Sequence, residues 1–286
     1  MAVKIVTDSS SDIPPELLKE YDISVVPLYV RFGNQVFKDG VDILHADFYE
    51  RLTRGDEFPN TIQPSPMDFK EMYDKLADNA DGIISIHLSE KFSGTCQSAR
   101  QAGEMMTGKC PVHVINSESM TIGLGMICLA AAKAARAGAS LLDTAKVATE
   151  AIPEIHFMAL FDSLKYLAKG GRIGQAKSLV GTLLNIKPML GMKDGIVVPF
   201  GMARSFSKGV NRLYDFMAAS LKEKGNVKEL AIMYNTTVKE AQALKEKIAP
   251  LFSGNIIMGE IGPILGTHAG PNLLLVSIRG IVPSNF

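Results

Sequence analysis

At 286 residues the chain is long enough for two domains of ordinary size, each with its own core. Thirty basic and thirty acidic residues cancel, which argues against a nucleic-acid-binding protein, since that would need a concentrated basic surface. The composition is 47% hydrophobic with no Trp and 14 Met, so aliphatic and thioether side chains either fill core or line an adaptable apolar pocket.

Cys96, Cys110 and Cys128 lack the close pairing of a zinc or redox motif. An odd number of cysteines fits a reduced, cytoplasmic setting better than a secreted disulfide framework. Met1 to Asp8 moves straight into a strand pattern, without the apolar core and cleavage site of a signal peptide. The most apolar later stretch, Met120 to Ala132, is broken by glycines and too short to span a bilayer, so a soluble protein is expected.

Val3 to Val6 predicts a first strand, ending in the polar run Thr7-Asp8-Ser9-Ser10-Ser11-Asp12. Pro14-Pro15-Glu16 then opens a helix. Ile23 to Phe32 reads as one extended segment, followed by two turns, around Gly33-Asn34 and Asp39-Gly40, that bound a hairpin. A helix follows over His45 to Arg54. Pro59-Asn60-Thr61-Ile62-Gln63-Pro64-Ser65-Pro66 is stiffened by three prolines and is suited to holding Thr61 in place. Ser65 caps the next helix, whose buried face carries Phe69, Met72, Tyr73 and Leu76.

Gly82 to Leu88 has the length and β-branched content of a buried strand, and a helix runs from about Thr95 to Met106. Ser93 stands at the junction. It is either a structural N-cap or a hydroxyl presented to a ligand, with the backbone N–H groups of Gly94 and Thr95 beside it, where a helix start favours a carboxylate or phosphate. Val112 to Ile115 adds a strand, then helices follow from Met120 to Ala135 and Ser140 to Ala151. This alternation predicts a largely parallel sheet covered on both faces, completing an N-terminal α/β domain over residues 1–152.

Residues 153–286 form a C-terminal α/β domain in this reading. Phe157 to Phe161 is a strand, Ser163 caps a short helix, and Lys169-Gly170-Gly171-Arg172-Ile173-Gly174 precedes an apolar run over Ser178 to Leu184. Strands at Ile186 to Leu190 and Ile196 to Pro199 join across Lys193-Asp194-Gly195. A helix over Ser205 to Lys224, a strand at Glu229 to Tyr234, a helix over Val238 to Ile248 and a strand at Ile256 to Gly259 complete the alternation. A polar loop, Gly266 to Asn272, holds His268 ahead of the last strand, Leu273 to Ile278.

The glycine-rich run around Arg172 lacks both the Walker spacing and its Lys-Ser/Thr pair, and Gly123-Leu124-Gly125 lacks the third glycine of a dinucleotide fingerprint. The five histidines are scattered without metal-ligand spacing, so no metal is expected. His87, His113 and His156, each within a β-like run, read as structural. One enzymatic alternative stands: a lipid or ester hydrolase with Ser93 as nucleophile, His268 as base and Asp8 as orienting acid, although no Gly-X-Ser-X-Gly elbow surrounds Ser93.

Several separated segments together resemble the DegV family. They are Thr7 to Asp12, Thr61 to Pro66, Leu88 with Ser93 to Ala99, Leu164 to Leu167 with Gly170 to Gly174, Leu183 to Pro188, and Thr267 to Pro271. The family's fatty-acid-binding members serve as the lipid-carrying subunit of bacterial fatty acid kinase. The resemblance implies two α/β domains with a long-chain fatty acid, such as palmitate or oleate, buried between them. Its carboxylate would be held by Thr61 and Ser93 with His268 nearby, and Arg172 would face a partner enzyme. The chain itself would be non-catalytic, with no cofactor. An ATP-dependent kinase would phosphorylate the lipid, an acyltransferase would use the acyl phosphate for phospholipid synthesis, and membrane contact would be transient. Two departures are expected to matter. Ile62 replaces a hydroxyl residue next to the head group, and Asn272 replaces a glycine beside the His268 loop.

Overall fold

The computed structural model describes residues 2–55, 57–106, 108–179, 186–222 and 227–282. The first half contains β1 (Ala2–Asp8), α1 (Pro15–Glu20), β2 (Ile23–Val26), β3 (Tyr29–Phe32), β4 (Gln35–Lys38), α2 (His45–Arg54) and β5 (Asn60–Ile62). It continues with α3 (Pro66–Ala77), β6 (Ala80–His87), α4 (Thr95–Glu104), β7 (Val112–Asn116), α5 (Thr121–Arg136) and α6 (Leu141–Ala151). The second half contains β8 (Ile155–Leu160), α7 (Lys165–Lys169), β9 (Lys187–Lys193), β10 (Ile196–Ala203) and α8 (Phe206–Lys222). After these come β11 (Val227–Tyr234), α9 (Val238–Ile248), β12 (Ile256–Glu260), α10 (Pro263–Ala269) and β13 (Leu274–Gly280).

Strands β2-β1-β6-β7 form a wholly parallel sheet, as the alternation predicted. Its central strand is apolar on both faces because both are covered. Ile83 packs with Phe69, Tyr73 and Ala99 beneath α3 and α4, while its neighbour Ile84 packs with Leu124, Ile127 and Ala148 beneath α5 and α6. The second sheet has the order β10-β9-β8-β13-β11-β12, antiparallel except for β11 with β12. Here too β8 divides its side chains: Met158 and Leu160 join the core under α8 and α9, and Phe157 and Ala159 face the other lobe.

Helix α5 joins the two cores. It packs on β1 on one side and on β8 and β13 on the other. Leu124 and Ile127 belong to the first core, Ile122 and Met126 to the second. The first three turns of α5, residues 121–132, are buried on every side, and only the last turn reaches solvent with Lys133 and Arg136. A third, small antiparallel sheet, β4-β3-β5, packs against α2 and receives Ile264 of α10.

Four local expectations change. The extended segment over Ile23 to Phe32 breaks at Pro27-Leu28, where Leu28 N–H turns aside to donate to Ser9 Oγ. Ser163 is not a cap, because α7 starts after Leu164 without a side-chain cap. The apolar run over Ser178 to Leu184 gives a 3₁₀ turn at Gly174–Leu179, its remainder and the Leu183 to Asn185 segment lying outside the described residues, as do the last two positions of the helix predicted to Lys224. Most consequential, the expected loop around His268 is largely helix α10. Gly262 and Pro263 start it, proline fitting the first turn because its missing N–H is not needed there, and Thr267 Oγ1 donates back to the Pro263 carbonyl at 2.9 Å.

Candidate ligand-binding site

A cavity of about 410 Å³ lies where the β6–α4 junction, strand β5, the inner face of β8 and helix α10 meet. Leu28, Leu88, Phe157, Ala159, Phe161 and Leu275 are among its apolar walls. Thr61, Gln63, Ser93, His268 and Arg172 contribute polar atoms.

Thr61 sits in β5, paired with Val30 of β3, so its side chain is held by a strand on one side and the prolines after it on the other. Its Oγ1 lies 3.0 Å from His268 Nε2. His268 is in the last turn of α10, mostly buried, and its Nδ1 has no hydrogen-bond partner among the described residues. That edge of the ring rests on the Gly170 backbone, where any Cβ would collide with Nδ1. Burial first, and the nearby Arg172 charge second, push the imidazole down to about 4, so it is neutral at pH 7. A neutral ring carries one N–H. Placed on Nδ1 it would be a buried donor without a partner, so the favourable tautomer holds it on Nε2, donating to Thr61 Oγ1. The Thr61 hydroxyl proton is then free to be offered into the cavity.

Ser93 also lines the cavity, but the cap position of α4 is Gly94, and no side chain caps it. Ser93 Oγ lies 2.8 Å from Thr95 Oγ1 and accepts the Thr95 N–H at 3.3 Å. Thr95 itself is fully buried behind Ser93. The Gly94 N–H donates to Gln63 Oε1 at 3.0 Å. Both backbone donors expected at a helix start are therefore engaged within the protein, and the Ser93 hydroxyl lines the cavity beside Glu90 and Lys91. Arg172 is exposed at the cavity's edge, its Nη1 donating to the Gly170 carbonyl at 2.7 Å.

The sequence motifs gave no role to Gln63, nor to the way α10 is anchored. Asp12 Oδ1 accepts the Gly262 N–H at 3.0 Å and its Oδ2 accepts from Thr121 Oγ1 at 2.6 Å. Burial lifts this carboxyl to about 8, and Asp39, itself raised to about 7, adds repulsion. Thr121 pays for that contact with a φ of +47°, which a β-branched residue seldom adopts. The start of the His268 helix is thus tied to the loop after β1.

Neither departure lines the cavity. Strand alternation points Ile62 opposite to Thr61; it is 38% exposed and does not line the cavity. Asn272 has φ +57°, a conformation asparagine tolerates, and its Oδ1 accepts from Thr236 Oγ1 at 3.0 Å. The hydrolase constellation is not assembled: Asp8 holds His87 at 3.0 Å, His268 holds Thr61, and Ser93 holds Thr95. No described helix is long and apolar enough to cross a membrane.

The chain is similar along its length to known proteins. A family model described as uncharacterised protein, DegV family, matches residues 2–279. A DegV domain-containing protein of Caldanaerobacter subterraneus is 39% identical over 274 residues, covering 94% of this chain and 96% of the relative. A DegV family protein from Thermus thermophilus, whose structure is described as fatty acid binding, superposes with a TM-score of 0.90 at 30% identity, covering 98% of this chain and all of that one. DegV of Bacillus subtilis, described as a fatty acid binding protein, gives a TM-score of 0.90 at 28% identity, with coverage of 98% and 100%. The matched length and the shared fold together establish that this chain belongs to the DegV family.

Proposed function

We propose that the protein binds a long-chain fatty acid and presents its carboxylate to a separate, ATP-dependent fatty acid kinase, without chemistry of its own. The observation that carries the reading is a cavity with apolar walls in which two hydroxyls, Thr61 and Ser93, are each backed by an internal donor. His268 Nε2–H supplies Thr61, and the Thr95 hydroxyl supplies Ser93 once Ser93 gives its own proton to a ligand. Family members described as fatty acid binding support the ligand class.

Energetics agree with a carrier. Each buried methylene contributes roughly 0.8 kcal/mol, so a chain of about fifteen supplies on the order of 12 kcal/mol before ordering costs. The head group then needs only to avoid a desolvation penalty. Neutral hydroxyls meet that need without the grip of a bidentate arginine, leaving a carboxylate oxygen reactive toward a phosphoryl donor. Arg172, exposed beside the cavity, is the residue this proposal assigns to contact with the kinase. Release of the acyl phosphate to an acyltransferase completes the proposed route into phospholipid, in the cytoplasm and with transient membrane contact.

Organic extraction of the purified protein followed by mass spectrometry tests the ligand. A stoichiometric free fatty acid is expected from the wild type, with much less retained by the Ser93→Ala, Thr61→Val double variant. Each lost hydrogen bond to a charged group is worth about 1.5–3 kcal/mol. An empty wild-type protein that cleaves esters would instead revive the hydrolase.

A further inference from the structure

Extended backbone places Thr61 and Gln63 on the same face, and Pro64 holds the residue before it in that conformation. The Gln63 amide reaches the β6–α4 junction. Its Oε1 accepts the Gly94 N–H at 3.0 Å, and its Nε2 donates to Ser98 Oγ at 3.2 Å. Among the described residues, both hydrogen bonds between the segments 60–64 and 93–98 come from this one side chain. The contact is close enough that a Cβ beneath it would push the amide aside. A Cβ on Gly94 would fall 2.6 Å from Oε1 and 2.9 Å from Nε2, although the φ of −79° there suits any amino acid. A side chain at 94 would have to displace the Gln63 amide, so glycine there leaves the strut its space and is not called for by backbone freedom.

Thr61 is two residues before this strut and Ser93 is next to its anchor. We propose that Gln63 is a positioning residue, which sets the separation of the two head-group hydroxyls by fastening β5 to the first turn of α4. The proposal rests on the reading that Thr61 and Ser93 receive a carboxylate. A gap misjudged by a few tenths of an ångström would let a carboxylate reach one hydroxyl but not both. Loss of the strut therefore weakens recognition of the head group and spares the tail.

Delipidated protein titrated with oleate and, separately, with oleyl alcohol separates these contributions, because the alcohol has the same tail and no carboxylate. The wild type is expected to prefer oleate. Gln63→Ala should lower oleate affinity about tenfold and change oleyl alcohol affinity less than twofold. Gly94→Ala, which displaces the amide, should cause a similar loss, and combining the two should add little beyond either alone. A wild type without preference for oleate would overturn the head-group reading itself. A wild-type preference that survives Gln63→Ala, an equal loss for both ligands, or fully additive losses in the double variant would overturn the strut and leave that reading standing.

Discussion

Two imidazole–hydroxyl contacts of similar length behave in opposite ways. His87 Nε2 is 2.7 Å from Ser85 Oγ, and His268 Nε2 is 3.0 Å from Thr61 Oγ1. Around His87 every further valence is filled. Nδ1 meets Asp8, Ser85 also receives the Tyr73 hydroxyl at 2.8 Å, and Asp8 accepts in addition from Leu88 N–H, Ser10 N–H and Ser10 Oγ. The side chains of Asp8, Tyr73, Ser85 and His87 are wholly buried. An Asp–His–Ser relay is thus present in the chain, yet it has no opening to a substrate and works as a rivet between β1 and β6. Around His268 the pattern is incomplete: Nδ1 is unpartnered among the described residues and the hydroxyl borders a cavity. Unfilled hydrogen-bonding capacity beside an opening, rather than the residue types, separates a site from a rivet.

Substituting the rivet should have the largest effect. Asp8→Ala strands several buried donors and should cost roughly 3–5 kcal/mol in urea unfolding. Thr61→Val should cost about 1 kcal/mol or less, its loss appearing in ligand affinity. Equal destabilisation by both would erase the distinction drawn here.

A pH series sharpens the contrast at the second histidine. The unfolded chain takes up a proton at His268 near pH 6.5, whereas the folded apo protein does so only near 4. The stability this group contributes is complete above pH 6.5 and is lost as pH falls toward 4, by about 1.4 kcal/mol per unit of pKa difference at most. His268→Gln should remove that slope from apo-protein melting curves; an unchanged slope would mean that the imidazole is not held neutral.

The smallest effect on binding is expected at Arg172. Arg172→Ala should leave fatty acid content unchanged while reducing kinase-coupled turnover. It should also raise the His268 pKa, which an NMR titration would follow. A large fall in lipid content would move Arg172 from the partner surface into the binding site.

Much of the fold was legible because its signals are local. Ser65 and Asp68 form the capping box that starts α3, Asp194-Gly195 supplies the positive-φ turn between β9 and β10, and the apolar run of β6 has the length and β-branched content of a buried strand. The His268 segment misled because Gly-Thr-His-Ala-Gly carries loop composition. Its helix is made by Pro263 in the first turn and by the Asp12 carboxyl, 250 positions away, at its start. Ser93 was found as a junction hydroxyl, but Gly94 takes the cap position; Ser93 Oγ accepts the Thr95 N–H, and Gln63 accepts that of Gly94.

The sequence by itself determined most of the strands and helices, α10 and the break at Pro27-Leu28 excepted, since period, capping and turn chemistry act between neighbours only a few residues apart. It also determined which hydroxyls and histidines were available. The tertiary structure alone decided that Asp8 would be spent on His87 while His268 was left to Thr61. That choice depends on which strand ends are adjacent in space and on where packing leaves a void, and both are properties of contacts between residues tens to hundreds of positions apart.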